Sequence, residues 1–289
     1  MEGYLAVRAH GLKLHLLKPS DYDKVLRSRD PVSTLASLGY SDVIGLYGKS
    51  WTGAIKAIYA KLVRRLEPLM ATTPHFRSFF RAFLDRLEAA NCKARLRELM
   101  GGRVHPALYY PYSHHLSLGV LSSVSDIKSY SKLLSRTPYG ALIEEALEIY
   151  EEVGRIAVIE ASIDSSYYSY YLGASREAGF ERFSRMEGRV YGAYWRRVFE
   201  ELPPKALKLL DALPVGELAT REYSWQQAMR ELIANLRDIA RRDFVGRGYV
   251  FAYIISCWVE AINLERILVA KRLEVEEELV KRLLLPSPL

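Results

Sequence analysis

The chain contains 289 residues, of which 49% are apolar and 26% are charged, and it carries a formal net charge of +7 at pH 7. This composition excludes an intrinsically disordered or low-complexity protein, and the length is sufficient for one large core or several small ones. The two cysteines, Cys92 and Cys257, have no CxxC spacing. Both lie in helical segments next to apolar residues, which favours buried, reduced thiols over metal ligands or a disulfide.

The predicted elements are helices. Residues 54–66 place apolar side chains at helical intervals with Lys and Arg on the opposite face, and residues 228–242 do the same. The most apolar run, residues 248–259, is too short to span a bilayer and predicts a buried core helix. Runs of alternating apolar and polar residues bounded by Asn-Gly or Asp-Gly turns, which are typical of β-hairpins, do not occur. The sequence therefore predicts an all-α fold. The N-terminus has no long apolar stretch after its charges, and no signal peptide is predicted.

Breaks between helices follow a recurring pattern. In three segments, Pro or Gly follows the apolar end of a predicted helix, which predicts a sharp turn and the start of a new helix. These segments are residues 35–43, 134–142 and 210–218. Two irregular, proline-containing connections, residues 101–112 and 202–205, predict subdomain boundaries. The resulting prediction is three helical repeats, residues 1–105, 106–205 and 206–289.

One helical sequence motif occurs twice, at residues 88–95 and 260–266. Each copy places Glu three positions before Asn, so the two side chains lie on one helix face and can bond each other. The motif residues are Glu88 and Asn91 in the first copy and Glu260 and Asn263 in the second. A degenerate third copy, residues 186–196, has Gly192 where Asn would stand. This internal repeat predicts an architecture of similar helical units.

The chain shows no pattern that predicts a catalytic, metal or cofactor site. Residues 45–50 resemble the end of a phosphate-binding loop, but two residues instead of four separate the glycines, which favours a turn between helices. His114 and His115 are adjacent, and adjacent side chains on a helix or strand point apart. A loop or helix-start role is therefore favoured over metal chelation. The tyrosines of residues 167–171 lack interleaved cations, which favours a bridge between the core and a partner surface over base stacking.

The basic side chains are spread along the chain instead of forming one block. This distribution suits an acidic protein partner or anionic head groups as readily as nucleic acid. A basic all-α nucleic-acid-binding module is one alternative, but it would require clustered phosphate contacts. A small-molecule enzyme is another, but it would require a nucleophile or metal in a converging cleft.

Several sequence segments match a known family in their order and spacing. They are residues 4–8, 137–140, 160–164 with Tyr167 and Tyr168, 244–253, and the two Asn helices. With them the chain resembles, over nearly its whole length, the C-type stalk proteins of archaeal and bacterial A/V-type ATPases, which are homologous to the d-type protein of the eukaryotic vacuolar enzyme. It departs from the family pattern at Val269, where a basic residue commonly stands, and at Gly192.

The resemblance implies an all-α funnel of three similar subdomains with a pseudo-threefold axis, seated on the membrane proteolipid ring and peripheral to the membrane at its cytoplasmic face. It implies that the cavity receives the shaft, which the D protein forms with its companion F. A protein of this family transmits torque during proton or sodium transport, catalyses nothing and needs no cofactor. Arg95, Arg97 and Arg266 are predicted to face the shaft. The alternative is that these arginines pair with acids on neighbouring helices.

Overall fold

The fold is that of a computed structural model, which describes residues 2–199, 204–211, 213 and 224–289. These ranges contain helices and no β-strand, which confirms the predicted all-α class. The α-helices are α1 (Glu2–Lys13), α2 (Pro19–Arg27), α3 (Pro31–Leu35), α4 (Ser41–Tyr47), α5 (Trp51–Thr72), α6 (Arg77–Leu99), α7 (Leu118–Ser123), α8 (Ile127–Leu134), α9 (Ile143–Val153), α10 (Ala157–Glu177), α11 (Glu181–Phe199), α12 (Pro204–Leu207), α13 (Trp225–Arg242), α14 (Arg247–Arg272) and α15 (Glu277–Leu283).

The chain divides into two compact units, residues 1–74 with 233–289 and residues 75–232, and the boundary between them falls inside α13. The three predicted repeats and their pseudo-threefold arrangement stay a prediction. Part of the predicted connection at 202–205 and most of the predicted turn phrase at 210–218 lie outside the described residues.

Helix α14 forms the centre of the first unit. Helices α1, α2, α5 and α15 pack against it, and most of its 26 residues are buried. The apolar run at residues 248–259 supplies this burial, which confirms the predicted core helix. Cys257 lies in the same helix as a free, buried thiol, and burial raises its pKa to about 12. In the described part of the chain, no helix combines the length and apolar character of a bilayer span.

The segment that resembles a phosphate-binding loop is a connection between α4 and α5. Gly48 ends α4 with φ +82°, a conformation that residues with a Cβ rarely adopt. Ser50 then caps α5, because its Oγ accepts the backbone N–H of Gly53 at 3.0 Å. Earlier in the unit, Gly39 with φ +94° breaks the helical path before Tyr40. The predicted turns in these two phrases are confirmed.

Helix α10 forms the centre of the second unit and packs against α6, α9 and α11. Three tyrosines of the aromatic cluster, Tyr167, Tyr168 and Tyr171, are fully buried. Phe79 of α6 stacks on Phe180 with ring centroids 4.2 Å apart and an interplanar angle of 4°. These three tyrosines therefore belong to the core, which confirms that side of the predicted bridge, and the contact with a partner stays a prediction.

Candidate functional site

The first Glu–Asn motif lies on α6 and fixes the segment that follows this helix. The Nδ2 of buried Asn91 donates to the carbonyl oxygen of Tyr110 at 3.0 Å, and its Oδ1 accepts the Tyr110 N–H at 2.7 Å. The Glu88 carboxylate accepts the backbone N–H groups of residues 114–116 at 2.5 to 3.1 Å. These bonds to distant backbone replace the expected bond between the two side chains. They satisfy peptide groups of a segment without regular structure.

The second motif repeats the asparagine geometry on α14. The Nδ2 of Asn263 donates to the carbonyl oxygen of Leu285 at 2.8 Å, and its Oδ1 accepts the Leu285 N–H at 2.9 Å. Both asparagines are buried, and each binds a residue later in the chain, at separations of 19 and 22 positions. The carboxamide mimics a peptide group in each copy, which explains why Asn occurs at both positions.

Glu260 has a different set of partners from Glu88. It accepts the Leu17 N–H at 2.7 Å, the Tyr40 hydroxyl and the Arg65 guanidinium. Burial raises the pKa of Tyr40 well above its usual range, and the Glu260 charge adds to this effect. Burial lowers the pKa of Arg65, but the negative charges around it outweigh burial and raise it overall. Tyr40 therefore stays a neutral donor and Arg65 a charged one.

The degenerate third copy contributes a buried ion pair on α11. Arg86 Nη1 donates to Glu187 Oε1 at 2.6 Å, and the Tyr171 hydroxyl donates to Glu187 Oε2 at 3.0 Å. All three side chains are buried. Gly192 has no side chain with which to bind backbone, so this copy lacks the asparagine contact, and its Glu187 lies five positions before Gly192 instead of three. Arg86 was not among the residues singled out from the sequence, because its partner lies 101 positions away.

Two ion pairs join α6 and α10 with matched spacing. Lys93 Nζ lies 2.7 and 2.8 Å from the two carboxylate oxygens of Asp164, and Trp195 Nε1 donates to the same carboxylate at 3.0 Å. One turn further along α6, Arg97 Nε donates to Glu160 Oε1 at 2.5 Å. The sequence signal is two cations four residues apart in one helix and two acids four residues apart in another. The sequence offered pairing with an acid on a neighbouring helix as the alternative for Arg97, and the structure shows such a pair; the spacing could also have identified Glu160 as the partner.

The other two arginines predicted to face the shaft bind backbone carbonyl groups at helix ends in their own units. Arg95 Nη1 donates to Glu98 Oε2 at 2.8 Å, and its Nη2 donates to the carbonyl oxygen of Val124. Arg266 Nη1 donates to the carbonyl oxygen of Leu283 at the end of α15. The side chain of Arg95 is mostly buried, whereas that of the third predicted arginine, Arg97, is 48% exposed.

His114 and His115 both face one buried carboxylate. His114 Nδ1 lies 3.1 Å from Asp85 Oδ1, and His115 Nε2 lies 3.4 Å from Asp85 Oδ2. The hydroxyls of Tyr112 and Tyr170 donate to Asp85 at 2.7 and 3.2 Å. The expectation that the two histidines point apart is wrong, because it applies to helices and strands. Here Glu88 holds their backbone in an irregular loop, as the sequence favoured, and there both imidazoles turn to the same side.

The first unit also carries an exposed apolar surface. Tyr4 and Val7 lie one turn apart on α1, and more than half of each side chain is exposed. His10, one turn further on the same face, stacks on Tyr249, and its Nε2 lies 2.7 Å from the carbonyl oxygen of Phe244. Phe244 is also exposed, and the contact of its carbonyl oxygen with His10 places its backbone beside α1. We call Tyr4, Val7 and Phe244 the α1 patch; exposed apolar groups in proximity are typical of a protein contact.

Comparison with known families gives a match over most of the chain. The family model described as ATP synthase (C/AC39) subunit matches residues 5–190. No curated protein matches the chain significantly.

Proposed function

The chain belongs to the family of ATP synthase (C/AC39) subunits, and from this premise we propose that it is the non-catalytic central-stalk rotor component of an A/V-type ATPase or ATP synthase. In this role it links the D–F shaft to the membrane proteolipid ring, transmits torque and supports proton or sodium transport. The family match over residues 5–190 is the observation that carries the proposal. The proposed location is peripheral, at the cytoplasmic face of the membrane, with the ring as the attachment.

A torque-transmitting protein requires helices that do not slide past one another. The ion pairs between Lys93 and Asp164 and between Arg97 and Glu160 lie at two levels of the α6–α10 contact. The buried pair of Arg86 and Glu187 joins α6 to α11. Polar pairs with defined geometry oppose sliding more strongly than apolar packing alone, because a displaced cation would leave a largely buried carboxylate, Asp164 or Glu160, without its partner.

Among the three proposed shaft contacts, Arg97 is best placed to reach a partner. Its guanidinium is bonded through Nε to Glu160, and nearly half of the side chain is exposed. Arg95 and Arg266 are proposed to act with it mainly by positioning the helix ends that they bind. An exposed guanidinium recognises carboxylates, so the matching feature on the shaft is an acidic side chain.

The α1 patch is proposed as an assembly contact of the first unit. Its exposed aromatic and aliphatic groups are suited to burial against another protein of the complex. Replacing Val7 and Phe244 by Ser would distinguish the two partners. Reduced capture of the purified ring with unchanged capture of the shaft assigns the patch to the ring, and the reverse result assigns it to the shaft.

The proposed function is tested by capture of the purified D and F stalk proteins from the same source, with the salt concentration varied. We expect saturable binding with one-to-one stoichiometry. Arg97→Glu should weaken capture at least about tenfold if the guanidinium meets a carboxylate. Arg185→Glu is the matched control, because Arg185 is also a half-exposed arginine paired with a glutamate, Glu181, on a helix.

Two outcomes would contradict the proposal at different levels. If the unmodified chain does not bind D and F but binds nucleic acid in a salt-sensitive way, the alternative function of a basic nucleic-acid-binding module would be favoured. Equal capture by Arg97→Glu and Arg185→Glu would leave the rotor role intact and remove Arg97 from the shaft contact.

A further inference from the structure

The cluster of Asp85, His114 and His115 has the donor set of a transition-metal site. One oxygen and two imidazole nitrogens, one from each residue, lie within 4.8 Å of one another. Among the described residues, no other group of three His, Cys, Asp or Glu side chains brings its ligand atoms so close together. None of the features assigned above to partner binding uses these side chains, so the cluster needs a separate explanation.

We propose that Asp85, His114 and His115 form a zinc site with His114 Nδ1, His115 Nε2 and one Asp85 oxygen as ligands. Zinc binds nitrogen and oxygen ligands at about 2.0–2.1 Å with tetrahedral geometry. Two such ligands are therefore about 3.3 Å apart. Asp85 Oδ2 lies 3.1 Å from His114 Nδ1 and 3.4 Å from His115 Nε2. Both oxygen–nitrogen distances match the separation of zinc ligands, and all three ligand atoms lie within 4.8 Å of one another, which is close enough for small side-chain rotations to bring them to one zinc ion.

The surroundings provide the support that a metal site requires. The Asp85 side chain has no exposed surface, and the Tyr112 and Tyr170 hydroxyls donate to its oxygens, which fixes the carboxylate. Such hydrogen bonds to a ligating carboxylate orient it toward the metal. The histidine side chains are 28% and 27% exposed, which leaves a path for entry and a fourth position for water.

A bound metal would cross-link α6 to the segment that follows it. Glu88 and Asn91 already bind the backbone of residues 110–116, and the metal would add bonds from the side chains of the same segment to Asp85 on α6. Binding needs free lone pairs on the two nitrogens, so any proton there must leave or move to the other ring nitrogen. A metal that binds only the folded chain stabilises it.

The test uses the 289-residue chain, stripped with a chelator and titrated with Co²⁺ as a spectroscopic probe and then with Zn²⁺. We expect one Co²⁺ per chain with the intense visible bands of a four-coordinate ion, and displacement of that ion by one Zn²⁺. Zinc should raise the melting temperature of the chain. His114→Ala and His115→Ala should each abolish stoichiometric binding and the thermal shift, while His105→Ala, in the same loop, should change neither.

Folding of the variants is checked by circular dichroism without metal. Substitution at the partly exposed histidines leaves the buried Asp85 in place, and His115→Gln is a second variant that retains a hydrogen-bond donor. Tyr170→Phe should weaken binding by about 10- to 100-fold without removing a ligand. Absence of stoichiometric Co²⁺ binding by the unmodified chain, or unchanged binding by His114→Ala and His115→Ala, would overturn the proposal. This test does not depend on whether the chain binds D and F.

Discussion

Lys93 and Asp164 form a two-pronged ion pair across α6 and α10, with Nζ at 2.7 and 2.8 Å from the two carboxylate oxygens. Four residues later in α6, Arg97 meets Glu160, which lies four residues earlier in α10. The opposite order of the partners shows that the helices run antiparallel. The common spacing of four residues places both pairs on the contacting faces. The pairs therefore fix the axial position of α6 against α10.

The first prediction concerns the stability that this pair provides. Lys93→Ala removes the cation that pairs with the Asp164 carboxylate, whose side chain is only 6% exposed. The indole N–H of Trp195 still donates to this carboxylate, but it is neutral and does not replace the charge of Lys93. We expect a loss of roughly 3 kcal/mol in the free energy of unfolding, because an uncompensated buried charge is costly. Urea unfolding at pH 7 measures the change. The single variants and the double variant with Asp164→Asn should show a coupling energy of about 1–3 kcal/mol.

Arg176→Ala is the control for the first prediction. Arg176 pairs with Glu181 at the surface, where solvent screens the interaction, and its removal should change stability much less than Lys93→Ala does. Additive effects of Lys93→Ala and Asp164→Asn would show that the pair carries no coupling and does not fix the two helices.

Features that depend on local periodicity could be predicted from the sequence. The apolar run at residues 248–259 is the core of α14, and the segment at 45–50 is a turn because Gly48 and Ser50 end one helix and start the next. In both cases the cause lies within a few residues of the effect, so chain order alone reveals it.

Partners distant in the chain could not be predicted in the same way. The repeat located Asn91 and Asn263, but their partners lie 19 and 22 positions later in segments without a pattern. His114 and His115 converge because Glu88 orients their loop, and the rule for regular elements does not apply there. The cause in each case is a tertiary contact, which a pattern of neighbours does not encode.

The second prediction concerns pH. Burial raises the pKa of Glu265 above its ordinary value of 4.5, and the Tyr59 hydroxyl, which donates to it, opposes part of this effect. The folded chain therefore holds this proton at pH values where the unfolded chain releases it. The contribution to stability is largest below the unfolded pKa and is lost as pH rises through the folded pKa.

Glu265→Gln removes this titration while keeping an oxygen that accepts from Tyr59. We expect a free energy of unfolding at pH 7 that is equal to or higher than that of the unmodified chain, and a smaller decrease between pH 4.5 and 7. Urea unfolding across that range measures both. Glu277→Gln, at an exposed position on α15, is the control for the loss of one glutamate charge at the surface. An identical slope for Glu265→Gln and the unmodified chain would contradict the prediction.

The third prediction concerns the two asparagines of the repeat. Asn263→Ala removes two hydrogen bonds to Leu285, whose peptide groups are then buried without those partners. We expect a loss of about 2–3 kcal/mol in stability and faster amide exchange at the C-terminal residues, because unpaired buried peptide groups favour local opening. Asn91→Ala should act in the same way on the segment around Tyr110.

The third asparagine of the chain, Asn235, is exposed on α13 and supplies the matched control, since Asn235→Ala removes the same carboxamide from a solvated position. Hydrogen exchange measured by mass spectrometry resolves the two affected segments. Faster exchange near Leu285 in Asn263→Ala and near Tyr110 in Asn91→Ala, with neither in Asn235→Ala, would show that each copy of the repeat holds its own following segment. Uniformly faster exchange across the unit would instead mean that the asparagines support the whole core, and the repeat would then have no separate local role.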